Sequence, residues 1–154
     1  MGCDIHSFAE RRNKETNKWE VVKDCVTLSD FDKEWYKKEK GDSPFDWRHY
    51  SMFGFLADVR GHSIKPISEP RYIPEDVSQE VVDEYHYWDC DGHSHSWLSL
   101  RELIEFDYDK NCTGDEYPSE SYREMLNDLF FVHLEDLKAL GDLDDVRVVF
   151  WFDN

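Results

Sequence analysis

The segment that most restricts the fold is the closing one, Val146-Arg147-Val148-Val149-Phe150-Trp151-Phe152. Its β-branched and aromatic residues favour an extended backbone, and bulky apolar residues at odd and even positions leave no face for water. Such a strand belongs in the middle of a sheet, covered above and below. The first ten residues supply a neighbour for it. Read with period two, Cys3, Ile5, Ser7 and Ala9 point one way and Asp4, His6, Phe8 and Glu10 the other. Residues 3–11 and 18–23, joined through Asn13-Lys14-Glu15-Thr16-Asn17, read as a hairpin.

Between these ends the pattern is mostly helical. Residues 29–44 are highly charged and predict a short helix or a mobile surface loop. Their lysines, Lys33, Lys37, Lys38 and Lys40, are interrupted by glutamates, as on a solvated face. Residues 52–59 are apolar enough for a buried helix capped by Ser51 and stopped near Gly61. Residues 62–76, with Pro66, Pro70 and Pro74, read as an ordered loop, followed by a short helix capped by Asp76 or Ser78. The polar, glycine-containing stretch Asp89-Cys90-Asp91-Gly92-His93-Ser94-His95-Ser96-Trp97 reads as a loop. Directly after it, Ser99-Leu100-Arg101-Glu102 matches the capping box that opens a helix.

Residues 107–118 form an acidic turn region, and residues 119–140 carry apolar side chains at helical spacing from Tyr122 to Leu140. His133 would divide that helix in two and Gly141 would cap it. The order β-β-α-α-α-α-β predicts a single α+β domain over residues 1–154. Its sheet is small and mostly antiparallel, with the N- and C-terminal strands adjacent and helices packed on one face.

Composition narrows the function. The net charge of -17 argues against direct binding to nucleic acid or to an anionic membrane surface. No apolar run suits a bilayer, and the N-terminus does not resemble a signal peptide. The four cysteines, Cys3, Cys25, Cys90 and Cys112, form no CxxC pair, which points to free thiols in a reducing cytoplasm. Gly2 lacks the Ser or Thr that myristoylation wants at position six, where His6 stands. P-loop, GxGxxG, GxSxG and HExxH patterns are all missing.

The sharpest constellation is Asp4 and His6 with His93 and His95. Alternate positions on an extended segment place both members of each pair on one face, and two such pairs facing each other would supply three or four ligands for zinc, manganese or iron, with zinc or manganese the first expectation. A bound divalent ion would lower the pKa of its water and assist Asp91 or Glu10 as a base. The structural alternative is a polar network in which Asp–His hydrogen bonds fix strand ends. Cys3 or Cys90 beside a histidine would make a thiolate nucleophile, although small buried cysteines are the commoner case. The cluster Trp47-Arg48-His49-Tyr50 offers phosphate or base contacts, or simply loop anchoring.

The opening MGCDIH, the HSHSWLSLREL segment and the closing VRVVFWFDN together resemble a family of small proteins encoded by tailed bacteriophages and prophages. The resemblance implies a host bacterial cytoplasm and an accessory role during infection. The resemblance supplies a setting and no mechanism; with the Asp4, His6, His93 and His95 constellation and the acidic composition, it leaves two expectations. One is a metal-dependent hydrolase whose small-molecule substrate is a phosphoester or nucleotide. The other is a non-catalytic acidic protein that inhibits a host bacterial protein or sequesters a small ligand.

Overall fold

A computed structural model describes residues 2–62, 64–113 and 120–154. Its main sheet contains β1 (Asp4–Arg12), β2 (Trp19–Val21), β5 (His93–Ser99) and β6 (Val146–Asp153) in the order β2-β1-β6-β5, with every pairing antiparallel. The termini meet as the sequence predicts: Asp4 pairs with Asp153, and the register runs unbroken to Arg11 and Val146. β6 has a partner on each side, and every residue of it except Asp153 is buried. A second small sheet pairs β3 (Val26–Thr27) with β4 (Lys40–Gly41).

On one face of the main sheet Ile5, Ala9, Leu98, Val148, Phe150 and Phe152 meet α2 (Tyr50–Ala57), α4 (Leu100–Glu105) and α6 (Asp128–Lys138). The other face is covered as well. There Val149 and Trp151 pack with Val81 of α3 (Gln79–Trp88) and with Ile73 and Val77 of the segment leading into it. This second cover explains why β6 is apolar at both odd and even positions.

Capping chemistry sets the helix starts. Ser78 opens α3, and its hydroxyl accepts the Val81 N–H. The Ser99–Glu102 capping box opens α4 as the sequence predicts. For α2 the cap lies two residues before Ser51, because the Phe53 N–H already bonds the His49 carbonyl at 2.9 Å. Its last turn lies against Gly61, and a Cβ on Gly54 would stand 2.5 Å from the Gly61 Cα, so neither position has room for a side chain.

Several expectations change. Residues 29–44 hold α1 (Asp30–Tyr36) and one strand of the small sheet. The helical pattern of 119–140 divides at Leu126–Asn127, between α5 (Tyr122–Met125) and α6, because the Asn127 side chain caps α6 by accepting the Phe130 N–H. His133 therefore lies inside α6, which ends at Ala139 in a right-handed conformation, before Gly141. The expected helix start at Ser119, and positions 114–118 of the acidic turn, lie outside the described residues. The stretch read as a loop over 89–97 is a 3-10 turn (Asp89–Asp91) followed by β5. Its polar residues occupy a sheet edge, where the Tyr72 N–H reaches the His95 carbonyl at 2.8 Å. Among the described residues, no helix is long and apolar enough to cross a membrane.

Candidate functional site

The alternation of β1 places Asp4, His6, Phe8 and Glu10 on the face covered by α3. His6 Nε2 meets Asp153 Oδ2 at 2.6 Å across the β1–β6 pair, and its ring lies 4.1 Å from that of Trp88. His95 reaches the same face, 5.6 Å from the Trp151 ring and 5.1 Å from Tyr85 of α3. His6 and His95 therefore flank Trp151. Burial, and then charge on His93, push the His95 pKa below the ordinary imidazole value and favour its neutral form.

His93 lies on the opposite face. β5 uses three steps, from His93 to Ser96, where β6 uses two, from Phe152 to Phe150, and Ser94 takes φ 56°. That bulge breaks the period of two, so the H-x-H spacing no longer aims both rings together. The His93 ring lies 6.2 Å from Phe152, with Nε2 3.3 Å from Asn154 Oδ1 and Nδ1 3.0 Å from Ser94 Oγ. Asp4 is also engaged, because Arg48 grips it with Nε at 3.0 Å and an Nη at 3.1 Å. The structure thus brings His6 and His95 around one indole but leaves Asp4 and His93 with other partners. Among the described residues, no three His, Cys, Asp or Glu side chains gather as a metal-ligand set.

The two candidate bases are far from sharing such a site. Six residues of extended strand separate Asp4 from Glu10 by about 20 Å. Glu10 is fully buried. It accepts from Arg147 Nε at 2.9 Å and from the Ser78 N–H at 2.8 Å, so it joins β1, β6 and the start of α3. Arg147 stacks its guanidinium 3.9 Å over Trp19 and reaches Asp76 at 3.0 Å. Asp91 is exposed at the end of the 3-10 turn. Between His6 and α3 lies a cleft of about 470 Å³ lined by Phe8, Lys23, Asp46, Glu80 and Glu84, in which Lys23 pairs with Glu80 at 2.8 Å.

All four cysteines are free, and Cys3, Cys25 and Cys112 are buried. Desolvation pushes the Cys3 thiol up and the Cys25 thiol to about 12, opposite to the shift that activates a nucleophile. The Trp47–Tyr50 cluster anchors the N-terminus: Arg48 holds Asp4, the Cys3 N–H donates to the Tyr50 hydroxyl at 3.3 Å, and Trp47 packs 5.1 Å from His133.

Sequence reasoning missed the residues of α1 that most suit a partner. Phe31, Trp35 and Tyr36 are 74%, 71% and 60% exposed, and the helix buries none of its residues. Phe31 and Trp35 stack with centroids 6.4 Å apart and planes 12° from parallel. The available signal was three aromatics at i, i+4 and i+5 inside a charged run, with no other apolar residue for a core-facing stripe. No family model, curated protein or solved structure gives a match to the chain.

Proposed function

We propose that the protein acts by binding and not by catalysis, as an accessory protein of the phage kind whose sequence blocks it resembles, and that it captures a basic host protein. The observation that carries this reading is α1, a short helix that offers three large rings to solvent and none to the core. Aromatic side chains on one exposed patch suit interface anchors, since each brings large contact area at little entropic cost. The net charge of -17 adds long-range attraction for a basic partner and speeds encounter at low salt. On this reading Asp4, His6, His93, His95 and Glu10 are struts of the fold.

The test is capture from bacterial lysate by the immobilised protein and by a Phe31→Ala/Trp35→Ala variant. A basic protein held by the parent at low salt, released as salt rises and not held by the variant is the expected result. Equal capture by both proteins overturns the assignment of α1. Stoichiometric zinc or manganese in the purified protein, lost in His6→Ala, would instead favour the hydrolase reading.

A further inference from the structure

We infer that a pocket on the side of the molecule between α4 and α5 binds a small organic anion, a flat ring carrying a phosphate or carboxylate group. The pocket has a volume of about 440 Å³, within the range of small-molecule sites, and includes Lys65, Ile67, Phe106, Lys110, Asn111 and Tyr122. It unites two cations in a chain of 35 acidic and 18 basic residues, and among the described residues no carboxylate lines it. Lys14, Lys23, Lys33, Lys38, Lys40 and Lys138 are spent on ion pairs. Among the described residues, neither Lys65 nor Lys110 has a carboxylate within ion-pairing distance. The nearby Asp109 is already held by Arg123 at 2.7 Å.

The frame around these lysines is fixed. Tyr122 clamps both segments that carry them: its hydroxyl donates to the Lys65 carbonyl at 2.8 Å, and its N–H donates to the Lys110 carbonyl at 3.2 Å. The Lys65 N–H bonds the Cys112 carbonyl and the Ile67 N–H bonds the Phe55 carbonyl, both at 2.8 Å. Lys110 rests its ammonium 4.6 Å from the Phe106 ring centre, and that ring stands edge-on to Tyr122 at 4.8 Å. An anion bridging the two ammoniums would leave its attached ring over the apolar surface of Ile67 and Phe106. Charges more than about 10 Å away are largely screened at 0.1 M salt, so the two ammoniums that line the pocket act on its occupant with little attenuation.

The test is an amide NMR titration with phenyl phosphate, benzoate and inorganic phosphate, on the parent and on Lys65→Gln/Lys110→Gln. Both lysines are exposed, so the variant should keep its spectrum elsewhere. Saturable shifts at residues 65–67, 106–111 and 122, weakened about tenfold or more in the variant, are expected. Tighter binding of phenyl phosphate or of benzoate identifies the head group. Inorganic phosphate should bind more weakly than phenyl phosphate because it lacks the ring. The proposal is overturned by the lack of any saturable shift at millimolar ligand, by equal affinity in the variant, or by inorganic phosphate binding as tightly as the aryl compounds.

Discussion

On the sheet face toward α2, α4 and α6, β6 contributes Val146, Val148, Phe150 and Phe152, and a dense set of rings, among them Phe53, Phe55 and Phe130, closes over them. On the face toward α3 the same strand contributes Arg147, Val149, Trp151 and Asp153, and α3 buries only Val81 against them. Volume and shape hold the first face together. The second depends more on directed contacts: Glu10 with Arg147 and Ser78, His6 with Asp153, and His6 and His95 around Trp151. One pair of strands thus serves a core that tolerates little change of volume and a face that tolerates little change of partner.

The largest effect should come from the dense face. Phe150→Ala removes a fully buried ring from the central strand, where neighbours on every side limit collapse into the space. A loss of about 3–5 kcal/mol in denaturant unfolding is expected. A loss below about 1 kcal/mol would mean that this core is as adaptable as a surface.

On the α3 face the corresponding probe is Glu10→Ala. It leaves the Arg147 guanidinium, 6% exposed, without its buried partner, and the Ser78 N–H without its acceptor. The cost of breaking such a pair from one side is about 3 kcal/mol, near the lower end of the usual range because Asp76 still reaches Arg147. Glu10→Ala combined with Arg147→Met should recover part of that loss, since the uncompensated charge goes as well. Failure to recover any of it would mean that Glu10 stabilises chiefly through Ser78 and the entry to α3.

These contrasts also explain what was legible in the sequence. β6, β1, the hairpin and the Ser99–Glu102 capping box depend on period two or on groups three residues apart, which a chain displays locally. The placement of His93 depends on one residue, Ser94, adopting φ 56°, and a polar run gives no sign of where a bulge will fall. Asp153, Asn154 and Arg48 are side-chain partners of His6, His93 and Asp4 at separations of 147, 61 and 44 residues, and only the fold supplies those meetings. The break at Asn127 was visible in principle, since Asn before an apolar run is a good cap. The continuous helical spacing from Tyr122 to Leu140 concealed it.

A smaller, pH-dependent effect should mark His133, buried on the dense side. The Phe45 N–H donates to its Nδ1 at 3.0 Å, and its Nε2 lies 2.8 Å from the Thr27 carbonyl. Burial lowers its pKa from the ordinary 6.5, outweighing the Thr27 bond and Asp136, which raise it; Lys40 also lowers it. The unfolded chain therefore takes up the proton first as pH falls, and stability declines below about 6.5 until the folded pKa is passed. Above that window this histidine contributes no pH slope. Denaturation midpoints between pH 7.5 and 5.5 should fall for the parent and fall less for His133→Gln. Equal slopes in the two proteins would assign the acid sensitivity to His49 and His95, which burial also shifts down.

The smallest effect on stability should come from the α1 variant, and it sharpens the contrast between rings that hold the fold and rings that do not. Phe150 is fully buried, whereas Phe31 and Trp35 are 74% and 71% exposed and stack mainly on each other. Replacing the exposed pair with alanine removes little buried area, and alanine is the better helix former, so the change in unfolding free energy should stay within about 0.5 kcal/mol. The N-cap of α1 is untouched, because the Ser29 hydroxyl still accepts the Asp32 N–H. Unchanged stability together with lost capture would separate folding from binding in one protein. A loss of stability comparable to that of Phe150→Ala would instead show that the rings pack against the body of the chain in solution, and α1 could then no longer serve as the docking surface.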